Sequence, residues 1–332
     1  MPSSKNKQKK IITVLGGAGF LGSHVCDALS SAGYQVRIFD LKPSPFLRSD
    51  QTMFQGDLMD RESIVKAAQG SEVLFNFAGI ADIDEAYNRP FETCRLNVLG
   101  NLNALEAAHE IGAKRFVFAS SVYVYSQSGS FYRASKQASE AFIEAYQERY
   151  GIDYTILRYG SLYGPRGDQR NGIYRLLYQA LHHQKITYGG TGNELREYIH
   201  VYDAAKASVR ILAPEFANQH VILTGNEKLT VCQMMEMIRE MLAPFQPITL
   251  QFNSNPVAGH YTITPYTFHP KMGTKFLVNP HIDLGQGILD LIRELHQSLH
   301  PEFHSEGDLL VKNGNEIPPQ KKKKISHKRK SS

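Results

Sequence analysis

The chain is expected to fold as a doubly wound parallel α/β sheet with a smaller C-terminal α/β lobe. Two observations predict this: short apolar runs alternate with amphipathic stretches through the first half, and a glycine-rich turn follows the first run. Strand–helix alternation calls for a parallel sheet covered on both faces. The runs Ile11–Leu15, Gln35–Phe39, Val73–Phe77, Phe116–Ala119 and Tyr154–Leu157 are rich in Val, Ile and Phe, as buried strands are. Between them, Leu21–Ala32, Arg61–Gln69, Val98–Ile111 and Ser135–Tyr150 carry apolar residues at helical spacing. After about residue 165 the rhythm changes to Gly-rich loops, short strands and helices such as Val231–Leu242 and Gln286–Leu299. We therefore expect a nucleotide-binding body over 11–165 and a partly interleaved substrate lobe over 166–316. Disordered basic ends are expected over 1–10 and 317–332.

Composition excludes several classes. At 332 residues and 42% hydrophobic, the chain is long and apolar enough for a real core. No run approaches the ~20 apolar residues that a membrane-spanning helix needs. The basic Met1–Lys10 leads straight into Ile11–Leu15, without the apolar core of a secretion signal. Cys26, Cys94 and Cys232 lie far apart with no metal-ligand spacing, so no metal is expected and a reducing, cytoplasmic setting is. The net charge of +5 belongs to the ends: four lysines precede residue 11, and seven basic residues follow residue 316. Removing those eleven from 37 leaves 26 basic against 32 acidic residues, a net of −6 for the body. A basic tail can touch nucleic acid or an anionic membrane, but a solvated end is the simpler reading, and no nucleic-acid partner is expected.

The first strand ends in Gly16-Gly17-Ala18-Gly19-Phe20-Leu21-Gly22, and a helix follows. Glycines 16, 19 and 22 permit a tight turn, close approach of a phosphate and close packing of the helix on its strand. The helix N-terminus then offers free N–H groups and partial positive charge to a pyrophosphate. The second strand ends in Asp40, 18 residues beyond Gly22. A carboxylate there accepts from adenosine ribose hydroxyls and repels a 2′-phosphate, so NAD is the expected cofactor. Further along, Tyr132 and Lys136 are four apart and share one helix face. The Lys136 ammonium favours tyrosinate and makes Tyr132 a usable base. The bland readings are a strand-end turn residue for Asp40 and a surface aromatic for Tyr132; their common context favours the functional ones.

The GxxGxxG spacing, with GGAGFLGSH almost entire, resembles the extended short-chain dehydrogenase/reductases of the NAD-dependent epimerase/dehydratase family. The resemblance runs in order over roughly residues 10–300 and implies a Rossmann-type fold. It places Asp57 and Leu58 of Gly56-Asp57-Leu58 at the adenine, and Phe77, Ala78 and Gly79 along the cofactor, followed by Asn97. Phe118 to Tyr125, followed by Tyr132-Arg133-Ala134-Ser135-Lys136, is similar to its catalytic signature, which makes Ser121, Tyr132 and Lys136 the catalytic set. Tyr132 and Lys136 then also hold the nicotinamide ribose. Leu157–Pro165 resembles the family's LRxxNxYGP segment, with Ser161 at its substrate-binding Asn. Arg196 matches an arginine that forks onto the substrate diphosphate; a surface pair with Glu197 or Asp203 is the alternative.

Departures from the pattern narrow the chemistry. Dehydratases and decarboxylases of the family carry carboxylates where Val122 and Tyr123 stand here, so epimerisation or simple redox chemistry is implied. Only ten residues separate Ser121 from Tyr132, a shorter loop than nucleotide-sugar enzymes usually have. No clear second diphosphate arginine appears in 256–275. The resemblance implies a nucleotide-sugar epimerase that oxidises its substrate transiently. A reductase or dehydrogenase, and more remotely a non-catalytic NAD-binding scaffold, remain as alternatives. By analogy, Val98–Ile111 and Ser135–Tyr150 form the interface of a homodimer.

Overall fold

A parallel strand buried on both faces needs apolar side chains in consecutive positions, and the first strand has them. β1 (Ile11–Leu15) sends Ile12 and Val14 to one face and Leu15 to the other. A computed structural model describes residues 9–225 and 228–253, all within the first of two units, 1–269 and 270–332. β1 is followed by α1 (Phe20–Ser31), β2 (Gln35–Asp40), β3 (Gln51–Gln55), α2 (Arg61–Ala68) and β4 (Val73–Asn76). Next come α3 (Ile83–Asn88), α4 (Pro90–Cys94), α5 (Gly100–Glu110), β5 (Arg115–Ser121), α6 (Ser130–Tyr150) and β6 (Asp153–Tyr159). The chain then forms β7 (Ser161–Tyr163), α7 (Gly172–His183), β8 (Lys185–Tyr188), β9 (Leu195–His200) and α8 (Val201–Arg210). β10 (Gln219–Leu223), β11 (Lys228–Thr230), α9 (Val231–Leu242) and β12 (Thr249–Phe252) complete the described residues.

Seven strands pair in parallel in the order β10-β6-β5-β4-β1-β2-β3. Strand order reverses between β1 and β4, which opens a crevice at their carboxyl ends. One face buries Leu74, Phe116, Phe118 and Ile156 against Ile64, Leu105 and Ile143 of α2, α5 and α6. The other buries Phe75, Val117 and Leu157 against Val25 and Leu29 of α1 and Ala204 and Ala205 of α8. Burying each phenylalanine contributes ~1.5–3 kcal/mol. Two small sheets, β11-β9-β7 and β12-β8, lie later in the chain. Among the described residues no helix is long and apolar enough to cross a membrane.

Several elements differ from the sequence expectation. β3 is an additional edge strand; only Gln51 of its five residues is buried, so no apolar run announces it. α6 begins at Ser130, five residues before the expected start, because Gly129 at φ +104° turns the chain directly into the helix. A π-helical turn, Arg95–Leu99, precedes α5. The seventh strand, β10, comes from beyond residue 166 and pairs with β6. The expected helix Gln286–Leu299, the segment 256–275 and the basic stretches 1–8 and 317–332 lie outside the described residues.

A Cβ at Gly22 would lie 2.2 Å from the Gly16 carbonyl oxygen, so Gly22→Ala must displace backbone. We expect it to destabilise the protein by ~2–3 kcal/mol in denaturant titration. Gly172→Ala, where a Cβ meets nothing within 4 Å, should stay within ~0.5 kcal/mol.

Candidate active site

The turn after β1 is held by backbone contact. Gly16 adopts φ +77°, and a Cβ on it would stand 2.5 Å from the Ala78 nitrogen. Its N–H donates to the Phe39 carbonyl at 2.8 Å, while Gly19 begins α1 without a side-chain cap. The first intrahelical bond is Ser23 N–H to the Gly19 carbonyl at 3.0 Å, so the N–H groups of Phe20, Leu21 and Gly22 precede it. Asp40, at the end of β2, accepts from Ala18 N–H at 3.0 Å and Lys42 N–H at 3.2 Å. Its carboxylate is thus anchored beside the glycine turn.

A cleft of about 1050 Å³ opens at the carboxyl ends of the strands. Its walls include Gly16, Gly19, Phe20, Leu21, Gly22, Asp40, Asp57 and Leu58 from one side of the crevice. Phe77, Ala78, Gly79, Ser121, Tyr132, Lys136, Ser161 and Arg196 complete the expected site residues along it. Asn97 stands apart from these and acts from behind the wall. Buried in the π-helical turn, its side chain accepts from Ile80 N–H at 2.7 Å and donates to the Ile80 carbonyl at 3.0 Å and Ser135 Oγ at 3.0 Å. It therefore pins the 77–80 loop to α6. Gly79, at φ +134°, leaves the space that the Asn97 amide occupies.

The Ser121–Lys136 part of the cleft is built from β5 and α6. Ser121 ends β5, and its Oγ accepts from Tyr123 N–H at 3.3 Å. Tyr132 and Lys136 face the cleft from successive turns of α6, only 8% and 7% exposed. Lys136 Nζ donates to the Ala119 carbonyl at 2.7 Å and lies 4.7 Å from the Phe118 ring centre and 5.7 Å from that of Tyr132. Burial lowers the Lys136 ammonium from its usual range to about 8, against the opposing pull of Glu140. A cation held this close to a phenol favours the phenolate, the state a base requires. Tyr123 packs edge-on to Tyr132 with ring centres 6.1 Å apart.

On the substrate side, Ser161 lies on β7 opposite Tyr198, and Arg196 on β9. Arg196 is largely buried, with Nη1 donating to the Leu195 carbonyl at 3.0 Å, so it is not a surface cation. Glu197 is joined to Lys228 at 3.0 Å. His200 serves structure: its Nδ1 accepts from Tyr202 N–H at 3.2 Å and caps α8. Sequence reasoning missed the pairing of buried Glu140 with half-buried Arg158, which adjoins Ser120 and Lys136; the signals were the i+4 spacing of Glu140 after Lys136 and the arginine of the Leu157–Pro165 segment. It also missed Arg175, Tyr188 and Asp82–Glu85, which line the cleft from the first turn of α7, the end of β8 and the start of α3.

Comparison with known proteins identifies the family and the fold. Residues 12–224 match the model of the NAD dependent epimerase/dehydratase family. A putative UDP-glucose 4-epimerase of Methanocaldococcus jannaschii is 29% identical over 250 residues, covering 69% of this chain and 81% of that protein. A dTDP-D-glucose 4,6-dehydratase of Mus musculus is 24% identical over 259 residues, covering 70% and 73%. The fold matches that of the UDP-glucose 4-epimerase of Thermus thermophilus, solved in complex with NAD, with a TM-score of 0.70 at 24% identity over 80% of this chain and 95% of that one. The family match spans more than half of the 332 residues, and the chain belongs to the NAD-dependent epimerase/dehydratase family.

Proposed function

We propose that this chain is an NAD-dependent nucleotide-sugar epimerase in which Tyr132 is the base. The observation that carries this reading is the convergence of Ser121, Tyr132 and Lys136 on the same cleft as the glycine turn and Asp40. The turn suits a dinucleotide: the space a Cβ would fill at Gly16 and Gly22 is taken by backbone, and the α1 N–H groups stand ready for a pyrophosphate. Asp40 suits the adenosine ribose, Asp57 and Leu58 the adenine, and Phe77, Ala78 and Gly79 the opposite wall. NAD, when bound, supplies the acceptor that takes a hydride from the sugar carbon and returns it to the other face. Ser121 holds the sugar oxygen while Tyr132 removes its proton and later restores it. Lys136 keeps the phenolate and binds the nicotinamide ribose. Ser161 meets the sugar and Arg196 its diphosphate. In this reading 11–165 is the NAD-binding part and 166–316 the sugar-nucleotide lobe, with β10 as the interleaved element.

Although dehydratases are among the relatives, Val122 and Tyr123 offer no carboxylate for water loss, which favours epimerisation. A reducing cytoplasm suits Cys26, Cys94 and Cys232, which are all free thiols. Leu99, Phe142 and Tyr150 are exposed on the 95–110 segment and α6, as a homodimer interface requires.

Four outcomes are expected. With a panel of UDP-, GDP-, CDP- and dTDP-sugars, the protein should form a stereoisomer without net change in nicotinamide absorbance; stoichiometric NADH gain or loss would make it a dehydrogenase or reductase. Tyr132→Phe should lower kcat roughly 10²–10⁴-fold while the protein still binds NAD in calorimetry. Because the useful form of Lys136 is protonated and its value is depressed, turnover should fall as the pH rises through about 8. In sedimentation, the chain should run at twice 37.3 kDa, and the Leu99→Glu/Phe142→Glu variant as a single copy.

A further inference from the structure

A buried charged cluster lies directly behind the reacting side chains. Glu140 follows Lys136 by one turn on the same face of α6 and is buried. Its Oε1 accepts from Ser120 Oγ at 2.5 Å and from Arg158 Nε at 3.0 Å, and its Oε2 accepts from Arg158 Nη2 at 2.6 Å. Arg158, on β6, also donates from Nη1 to the Tyr125 hydroxyl and lies 4.7 Å from the centre of that ring. One carboxylate therefore joins the end of β5, the end of β6 and the middle of α6, beside Ser121. The cleft is lined by Ser120 but not by Glu140 or Arg158, which stand behind its wall.

Stability alone is a poor reason for such a pair. A buried carboxylate, even one paired with a half-buried arginine, is often matched or bettered by apolar side chains of the same volume. Placement supplies a better reason. Lys136 is buried with Tyr132 beside it, and the Glu140 charge opposes the loss of its proton. Beyond Glu140 lie Arg158 and Tyr154 of β6, Glu144 of α6, and His220 of β10, whose Nε2 is 3.1 Å from Glu144 and 4.0 Å from Glu140.

The geometry points to Glu140 as a positioning residue: locked by Arg158, it holds Ser120–Ser121 in register with α6 and presents a buried carboxylate to Lys136. It acts through Lys136 and Ser120, and it rests on the reading of Tyr132 and Lys136 as the proton-handling pair. The paired arginine fixes the carboxylate bidentately, so its charge stays in one place. The hydroxyl of Ser120 carries that constraint into the strand end from which Ser121 projects.

The test uses full-length protein loaded with NAD and needs no substrate. Phenolate absorbance is titrated with pH, and subtracting the Tyr132→Phe curve isolates Tyr132. We expect a midpoint below the ordinary tyrosine value of about 10. Glu140→Gln/Arg158→Gln removes both charges and leaves a polar amide at each position. It should raise that midpoint by about one pH unit, because Lys136 gives up its proton sooner and supports the phenolate less. Glu140→Asp keeps the charge balance, draws the carboxylate back and should raise the midpoint by less. A merely structural role would lower the melting temperature and leave the midpoint in place. A depressed midpoint that neither variant moves overturns the positioning role and leaves Tyr132 as base. An ordinary midpoint in the unaltered protein overturns the Tyr132–Lys136 reading and this inference with it. If the double variant does not fold, Glu140→Asp decides: an unmoved midpoint rejects the role.

Discussion

The contact on which the rest of the site depends is backbone against backbone. Gly16 presses on the Ala78 nitrogen, and Gly22 on the Gly16 carbonyl, with no room for a methyl group at either. This brings the turns after β1 and β4 together at the reversal of strand order, where an open α/β sheet binds its ligand. Two side chains maintain that contact without filling the crevice. Asp40 ties β2 to the glycine turn through Ala18 N–H, and Asn97 clamps both backbone polar groups of Ile80. Asn97 is buried, so an unpaired partner would cost ~1–3 kcal/mol for each group left without its bond. The cleft is therefore as rigid as the backbone pairs that frame it.

At the other end of the cleft the constraint is electrostatic. An ammonium buried like that of Lys136 is pushed toward neutrality, and the chain counters this with a carboxylate one turn away and a carbonyl acceptor at 2.7 Å. The outcome is a cation that holds its proton at neutral pH yet remains largely dry beside Tyr132. A fully hydrated lysine would be screened and would influence the phenol less. Folding stability and site chemistry pull in opposite directions here. A buried charge facing a functional cleft is the arrangement expected where residues are tuned for proton transfer.

What was legible in the sequence was whatever local spacing encodes. The glycine turn, Asp40 at the end of the next strand, and the Tyr132/Lys136 pair all depend on neighbours a few residues away or on one strand–helix unit. Fold class followed from apolar runs that alternate with amphipathic stretches. Glu140 was not legible, because its partners Ser120 and Arg158 lie 20 and 18 residues off and meet it only through parallel pairing of β5 and β6. Asn97 was singled out, but its position behind the wall depends on a π-helical turn with no compositional mark. β3 escaped because an edge strand need not be apolar, and β10 because it joins the sheet from across the intervening lobe.

The short connection between Ser121 and Tyr132 has a consequence for the chemistry. To reach α6 in so few residues, the chain turns at Gly129 with φ +104°, where a Cβ would lie 2.7 Å from the Tyr123 ring. The turn thus packs against Tyr123, whose ring meets Tyr132 edge-on and joins Ile80, Ala86 and Val122 in one buried apolar cluster. This cluster occupies the position directly after Ser121 at which dehydration or decarboxylation would need a carboxylate. An ionised group placed there would lose its hydration among apolar neighbours and would shift toward its neutral form. Loop length and residue choice therefore act together: the tight turn packs on an uncharged wall, beside which Tyr132 is the phenol that takes the proton in the proposed reading.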